Sequence, residues 1–260
     1  MTRIRFFQVF IGFVFVSLVA VSMASGDRYS RIKTKLSKTF PKLKIKTIRP
    51  SPVPGMYEMV VGTEIFYVSA NGEYVFVGNL ISAVTKENVT QKARGALYQR
   101  SLANLDEKKM IIFGPKRKRV KRTVTVFTDI DCPYCAKFHL EVPTLVQHGV
   151  RVRYLLYPRT GIRGPDGRLT PTYQRSVAVW CAKDQRKALT DAKAGRPIKM
   201  KSCPNPVAEN FVLGQRMGLR GTPMIITDKG KVINGYLPAN NLLALLKIKF
   251  VRRAIAKKTK

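Results

Sequence analysis

The chain has 260 residues, of which 48 are lysine or arginine and 15 are aspartate or glutamate, so its formal net charge at pH 7 is +33. A hydrophobic content of 45% is ordinary for a folded protein and excludes a disordered or fibrous chain. The length allows one or two domains with their own cores. The charge favours association with anionic partners at low salt, but it carries no information about the fold.

Residues 1–24 have the plan of a targeting segment. Arg3 and Arg5 precede an apolar run from Phe6 to Met23, and small residues of a cleavage site end at Ala24. This pattern predicts a secretory signal peptide that is cleaved near Ala24. The alternative is a retained membrane anchor, because the run is close to the ~20 residues that span a bilayer. In either case we expect the remainder of the protein outside the cytosol.

The next zone, residues 25–85, is predicted to be a small α+β unit. Apolar residues recur every four positions from Ile32 to Phe40, which is typical of an amphipathic helix, and Pro41 ends it. Three β-rich runs follow between residues 56 and 77, and Asn71-Gly72 is a hairpin signal. Because so small a sheet leaves exposed edges, we expect this zone to pair with a second copy.

Residues 86–122 are predicted to form a helical linker. Apolar residues fall at multiples of four between Val89 and Leu105, as on a helical stripe. The run at 116–122 is strongly basic and has the composition of a nuclear-localisation or heparin-binding patch. A signal peptide makes nuclear import pointless, and the run lacks the interleaved aromatic residues that stack on single strands. We therefore interpret it as a solvated basic face and expect no specific nucleic-acid partner.

The last zone, residues 123–260, alternates strand and helix in an α+β pattern. Its predicted order is strand, helix, strand, helical insertion, two strands and helix. Strands are expected at 124–127, 150–157, 224–227 and 232–233, and helices after Cys132, over 172–194 and after Pro238. Pro143 is expected to kink or end the first of these helices.

The chain retains four cysteines after cleavage: Cys132, Cys135, Cys181 and Cys203. An even number in an exported chain indicates disulfide chemistry. A zinc site usually takes two close-spaced ligand pairs, whereas this chain has one C-x-x-C, and its two histidines do not complete a metal spacing. We therefore expect no metal and no cofactor. Cys181 and Cys203 are interpreted as a structural disulfide, with two free buried thiols as the alternative.

Cys132-Pro133-Tyr134-Cys135 lies between a predicted strand and a predicted helix. The positive end of a helix dipole stabilises a thiolate there and lowers its pKa. We expect Cys132 to attack disulfides and Cys135, one turn further on, to resolve the mixed disulfide. An inert local disulfide is the alternative. Asp131 is expected to face water or cap the helix, and His139 to be structural or exposed but not a base.

Thr222-Pro223 is the second candidate part of this site. An X-Pro bond before a strand can be cis, although most X-Pro bonds are trans. A cis bond would leave the backbone N–H and C=O of Thr222 free to pair with an extended substrate.

These motifs together resemble the bacterial periplasmic DsbC/DsbG family of disulfide isomerases. The resemblance covers nearly the whole mature chain. It rests on segments 54–56, 127–130, 178–184, 221–223 and 235–236, in the family's order.

The resemblance implies a thioredoxin-like catalytic domain with a helical insertion, preceded by a cystatin-like dimerisation domain. The implied assembly is a periplasmic, V-shaped homodimer whose arms face an apolar cleft and whose clients are misfolded exported proteins. Such proteins are kept reduced by a membrane thiol reductase of the DsbD type. The resemblance further implies a cis bond at Pro223, a Cys181–Cys203 disulfide, and substrate contacts by Tyr134, Thr222 and Pro223.

One departure affects the expected activity. Members of the C branch usually carry Gly-Tyr between the cysteines, whereas Pro133-Tyr134 resembles the G branch. The second cysteine pair and Trp180-Cys181 resemble the C branch. The leading hypothesis is a disulfide isomerase, and the alternatives are a reductase of sulfenylated or single cysteines and a holdase chaperone.

Overall fold

The structure is a computed structural model that describes residues 28–250. The predicted signal peptide at 1–24 therefore lies outside the described residues. The chain divides after Leu80 into two compact units. Across 28–250, no helix has both the length and the apolar character needed to cross a membrane.

The first unit joins one helix to a four-stranded antiparallel sheet in the order β1-β2-β3-β4. Its elements are α1 (28–39), β1 (Ile45–Pro50), β2 (Met56–Val61), β3 (Glu64–Ser69) and β4 (Val75–Phe76). Ile32 and Leu36 of α1 are buried against Met59 and Val68 of the sheet. The four-residue apolar period thus becomes the face that covers the sheet, as the sequence predicts.

The second unit holds a five-stranded sheet in the order β5-β7-β6-β8-β9, with helices packed against it. Its elements are α2 (Val89–Ala103), β5 (Ile111–Phe113), β6 (Arg122–Thr128), α3 (Pro133–Gln147), β7 (Val150–Leu156), α4 (Pro171–Trp180), α5 (Gln185–Lys193), α6 (Val207–Arg216), β8 (Met224–Thr227), β9 (Val232–Asn234) and α7 (Ala239–Leu245). β6 and β7 are parallel, and the other described pairs of this sheet are antiparallel.

The central strand β6 positions the site. Its residues from Val124 to Thr128 are all buried, because β7 and β8 flank it and helices cover it. Parallel pairing with β7 requires a crossover connection, which α3 provides. The chain leaves β6 at Thr128 and enters α3 at Pro133, so the C-x-x-C lies at the carboxyl end of the strand.

The range 86–122 differs from the predicted helical linker. The helix ends at Ala103, and β5 then pairs antiparallel with β7 as an edge strand of the second unit. α2 also docks on this unit, since the Tyr98 hydroxyl donates to the Met217 carbonyl at 2.6 Å. A strand of three residues is too short to give a readable period, which explains why the sequence did not predict it.

Two helices also differ from expectation. Pro143 lies inside α3 and does not end it, because the helix continues to Gln147. A proline removes one backbone donor, but the other hydrogen bonds and the buried face of α3 keep the helix continuous through Pro143. α6 was not predicted, since its run is short and follows a proline-rich loop.

Gly95 lies where α2 packs closely against the β8–β9 turn, so a substitution there tests this docking. A Cβ at this position would overlap the carbonyl oxygen of Gly230 in the β8–β9 turn. Helix propensity alone predicts that Gly95→Ala stabilises by up to ~1 kcal/mol, whereas overpacking against backbone costs roughly 1–3 kcal/mol. We expect a net destabilisation of about 1–2 kcal/mol.

Urea unfolding followed by the fluorescence of Trp180, the only tryptophan of the chain, measures this effect in the second unit. Gly221→Ala is the control, because a Cβ there meets nothing within 4 Å. A higher urea midpoint for Gly95→Ala would contradict the close docking of α2.

Candidate active site

The two cysteines of the C-x-x-C are free thiols at the start of α3. Cys132 is the N-cap residue, and its Sγ accepts a hydrogen bond from the backbone N–H of Cys135 at 3.4 Å. The Cys132 thiol donates to the carbonyl oxygen of Thr222 at 3.2 Å. Pro133 occupies the first helical turn, where the missing N–H costs nothing.

The surroundings give the two thiols different acidities. Burial opposes ionisation of Cys132, but the side chain of Thr222, the backbone N–H of Cys135 and the positive charge of Arg159 favour the thiolate and outweigh burial, so the pKa of Cys132 lies below the ordinary value. Cys135 is completely buried, and this burial raises its pKa above the ordinary value, although Lys193 acts in the opposite direction. Cys132 is therefore the better nucleophile at neutral pH, in the order that the sequence predicts.

Thr222 and Pro223 lie beside the C-x-x-C. The peptide bond between them is cis, and β8 begins at the next residue. The Thr222 hydroxyl is buried without a hydrogen-bond partner among the described residues. Tyr134 is 64% exposed between the two cysteines, whereas Cys132 is only 2% exposed. A substrate can thus contact Tyr134 directly, but it must displace the hydrogen bond between Cys132 and the Thr222 carbonyl to reach Cys132 Sγ.

Gly235-Tyr236 connects this loop to α3. The N–H of Gly235 donates to the Pro223 carbonyl at 2.8 Å, and Gly235 has a φ of +107°, which favours glycine. The Tyr236 hydroxyl donates to Glu141 of α3 at 2.6 Å. These bonds hold the proline loop against the helix that begins at Cys132.

Asp131 is exposed, as the sequence predicts, although it does not cap α3. Its carboxylate accepts from Arg175 at 2.5 Å and from Thr172 at 2.7 Å, both on α4. Cys132 itself is the cap of α3. Arg175 thus balances a negative charge next to the attacking thiol, which would otherwise oppose thiolate formation.

Asp129 and Arg159 were not singled out as site residues in the sequence. Asp129 is 1% exposed, and its carboxylate accepts from the backbone N–H and the Nε of Arg159 at 2.8 and 3.1 Å. It also accepts from the N–H of Asp131 at 2.8 Å. These bonds hold the loop between β6 and α3 and keep Arg159 close enough to favour the Cys132 thiolate. The only sequence signal was the position of Asp129 in the segment before the C-x-x-C.

Lys193 is the second feature that sequence reasoning missed. This last residue of α5 is buried, and its ammonium donates to the Thr128 hydroxyl at 2.8 Å and to the Asp129 carbonyl. A lysine at the end of an amphipathic helix normally faces water, so no sequence signal indicated this burial.

His139 has a structural role, which is one of the two alternatives that the sequence predicted. It is buried between the Tyr154 hydroxyl at 3.1 Å from Nδ1 and the Thr190 hydroxyl at 3.0 Å from Nε2. Burial lowers the pKa of His139 to about 4, and the nearby charge of Lys193 acts in the same direction. The imidazole is therefore neutral at physiological pH.

Cys181 and Cys203 form a disulfide with a Cα–Cα distance of 5.8 Å. It joins the C-terminal end of α4 to the loop before α6 and encloses α5. A loop of 22 residues corresponds to ~3 kcal/mol of stabilisation in the chain-entropy account. Within 28–250, no three His, Cys, Asp or Glu side chains are grouped so that they could hold a metal ion.

His139 makes the stability of the second unit depend on pH. Its pKa is lower in the folded state (about 4) than in the unfolded state (6.5), so between these values the unfolded chain binds more protons. Stability is complete above pH 6.5 and falls as the pH decreases towards 4, by on the order of 3 kcal/mol. Urea unfolding of wild type and His139→Gln between pH 4 and 7, followed by Trp180 fluorescence, measures the difference. If the free energy of unfolding depended equally on pH in the two proteins, this assignment to His139 would be refuted.

Comparison with known proteins supports the reading of the site. A family model described as a thioredoxin-like domain matches residues 107–249. A second model, described as the N-terminal domain of disulfide bond isomerase proteins, matches residues 21–91. With its paired free thiols at the start of α3, the chain is a thioredoxin-like thiol–disulfide oxidoreductase.

Full-length relatives define the family more closely. The thiol:disulfide interchange protein DsbC of Escherichia coli strain K12 is 32% identical over 241 residues, which cover 90% of this chain and 94% of that protein. DsbC of Haemophilus influenzae is 35% identical over 234 residues, covering 90% and 96%. The chain belongs to the DsbC family of thiol:disulfide interchange proteins.

A solved disulfide interchange protein from Neisseria gonorrhoeae is 30% identical, with a TM-score of 0.46, and covers 55% of this chain and 96% of its own.

Proposed function

We propose that the protein is a periplasmic disulfide isomerase and reductase in which Cys132 attacks non-native disulfides of exported proteins and Cys135 resolves. The observation that carries this proposal is the position of Cys132. It caps α3, its pKa lies below the ordinary value, and it faces the Thr222 carbonyl at the surface where Tyr134 is exposed. The relatives' name, thiol:disulfide interchange protein, supports the reaction class.

The first step forms a mixed disulfide. The Cys132 thiolate attacks one sulfur of a substrate disulfide, the substrate S–S bond breaks, and the other substrate sulfur leaves as a thiolate that takes a proton from water. A substrate thiolate can then attack the mixed disulfide, which forms a new substrate disulfide and releases Cys132 as a thiolate. This route is isomerisation, and it consumes no electrons overall.

The second route is reduction. The Cys135 thiolate attacks Cys132 Sγ, forms the Cys132–Cys135 disulfide and releases the substrate sulfur as a thiolate. Two electrons pass from the dithiol to the substrate, so a further dithiol must reduce the protein again. We assign this task to a membrane thiol reductase of the DsbD type.

We assign substrate binding to Tyr134, Thr222 and Pro223. Tyr134 offers an exposed aromatic ring beside the sulfur, and the Thr222 carbonyl, which now accepts from Cys132, can accept from a substrate backbone N–H once the mixed disulfide forms. Periplasmic location rests on the predicted signal peptide at 1–24 and on the family.

Refolding of a scrambled multi-disulfide protein in a glutathione buffer tests the proposal. We expect wild type to restore native activity and Cys132→Ser to lose this effect at least 100-fold, because removing the nucleophile removes the covalent route. Cys135→Ser is the matched variant and should accumulate a mixed disulfide at Cys132. Insulin reduction without recovery of the scrambled protein would favour the reductase of the G branch, which Pro133-Tyr134 resembles. Aggregation suppression that persists in the doubly substituted protein, with no exchange by wild type, would favour a holdase.

We further propose that the N-terminal domain predicted at residues 25–85 forms a homodimer through β4 of the first unit. This strand lies at the edge of its sheet, and Tyr74, Phe76 and Val77 are exposed there. An unpaired apolar edge strand offers backbone donors and acceptors to a second copy. Residues 86–122, which the sequence predicted as a linker, contribute α2 and β5 to the catalytic unit.

Phe76→Asp in the full mature chain tests the dimer. A carboxylate at this edge should weaken self-association by at least tenfold, because pairing would bury it. Sedimentation velocity over a concentration series measures the change. Ser37→Asp, which adds the same charge on an exposed position of α1, is the control. A wild type that is monomeric throughout, or an unchanged dimer in Phe76→Asp, would overturn pairing through β4.

A further inference from the structure

Lys193 is a buried cation behind the reactive pair. It is 8% exposed, and its ammonium donates to the Thr128 hydroxyl at 2.8 Å and to the Asp129 carbonyl. Both acceptors are neutral groups, and the ion pairs found in residues 28–250 do not include Lys193. A buried ammonium without a counter-charge is costly, so its surroundings should contain a group that becomes negative.

The nearby carboxylates already have other partners. Asp129 pairs with Arg159, and Asp131 pairs with Arg175. His139 on α3 is neutral because burial lowers its pKa to about 4, and Tyr154 on β7 has its pKa raised by burial, so neither supplies charge at neutral pH. The remaining groups that can become negative are the thiols of Cys132 and Cys135.

Lys193 and Cys135 share two neighbours: the Lys193 ammonium donates to the Thr128 hydroxyl and the Asp129 carbonyl, and hydrogen bonds at Thr128 and Asp129 also act on the Cys135 thiol. Burial raises the pKa of Cys135, and the charge of Lys193 is the largest influence in the opposite direction. Burial lowers the pKa of Lys193, and Cys135 is the largest influence that raises it. The pKa of Cys132 is instead lowered at Thr222, at Cys135 and by Arg159. Arg159 and Lys193 each interact with both thiols, but Arg159 acts more on Cys132 and Lys193 more on Cys135.

We propose that Lys193 is a positioning residue that stabilises the thiolate of Cys135 and thereby determines how the mixed disulfide divides between reduction and isomerisation. This inference rests on the proposed exchange function and names the residue that sets the balance between its two routes. Cys135 must lose its proton to water before it attacks Cys132 Sγ and displaces the substrate thiolate. Isomerisation requires no charge on Cys135. The positive charge of Lys193 therefore accelerates the attack of Cys135 that releases the reduced substrate, without changing the first attack by Cys132.

The first experiment measures the acidity of Cys135 directly. In a Cys132→Ser background, Cys135 is the only free thiol, since Cys181 and Cys203 are bonded to each other. We expect Lys193→Met to move the pH midpoint of Cys135 alkylation upward by about one unit, which is an approximately tenfold slower reaction below the midpoint. Lys193→Arg, which keeps the charge, should restore the profile in part.

Lys187→Met is the matched control. It removes a positive charge from the same helix α5, but Lys187 is 73% exposed and pairs with Asp191. Its alkylation profile should equal that of the Cys132→Ser parent. An unchanged profile in a folded Lys193→Met protein, or equal shifts in both variants, would overturn the proposal. A merely structural role of Lys193 would lower the urea midpoint and leave the alkylation midpoint unchanged.

The second experiment does not depend on the folding of a Lys193 variant. Lysine labelled with 13C at Cε allows the titration of Lys193 to be followed in wild type and in Cys135→Ala. Because linkage is reciprocal, removal of the thiolate should lower the pKa of Lys193 by the amount that Lys193 lowers that of Cys135. Identical Lys193 titrations in the two proteins would refute the coupling.

The third experiment separates this proposal from the proposed function. Single-turnover release of glutathione from its mixed disulfide with Cys132 should be about tenfold slower in Lys193→Met than in Lys187→Met at pH 7. Formation of that mixed disulfide in a Cys135→Ser background should be equal in both. One outcome is that wild type fails to refold scrambled protein while Lys193→Met still shifts the pH midpoint of Cys135 alkylation. In that case the isomerase function is wrong and the role of Lys193 stands.

Discussion

Parallel pairing of β6 and β7 is the constraint on which the site depends. Parallel neighbours need a crossover, so α3 must begin just after the carboxyl end of β6. Arg159 follows the same end of β7 and reaches the same edge of the sheet. β8 runs antiparallel to β6, so its first residues, and the Thr222-Pro223 bond before them, also lie at this edge. Topology alone thus brings together three segments that are far apart in sequence.

At this edge of the sheet the carboxylates are paired with arginines, so the cysteine thiols are the groups whose charge can change. Asp129 and Asp131 flank the turn into α3, and each is bonded to an arginine from another segment. Without these arginines, two carboxylates beside Cys132 would oppose formation of its thiolate. The pKa of the attacking thiol is lowered at Thr222 and Cys135 and by the charge of Arg159, and the paired carboxylates do not act against this shift.

The sequence predicted what depends on local pattern. The amphipathic helix from Ile32, the strand at 124–127, the strand–C-x-x-C–helix junction and the α+β class follow from periodicity and turn residues, and the structure has them. Long-range contacts were not predictable in this way. The burial of Lys193, the pairing of Asp131 with α4 and the addition of β5 to the sheet each depend on which segment lies opposite, which no local period encodes. The resemblance to a family supplied the cis bond and the Cys181–Cys203 pairing, neither of which residue spacing alone decided.

The Cys181–Cys203 bond has a consequence for how the protein matures. Four cysteines allow three ways of forming two disulfides, and the active form needs one bond made while the pair at α3 stays reduced. With the proposed exchange function, maturation would therefore require oxidation of one pair and reduction of the other. The two pairs differ in their setting. The Cys181–Cys203 bond encloses α5, whereas the C-x-x-C begins α3 beside the exposed Tyr134, and the pKa of Cys132 lies below the ordinary value. The fold of this enzyme of disulfide exchange therefore has to keep one cysteine pair oxidised and the other reduced.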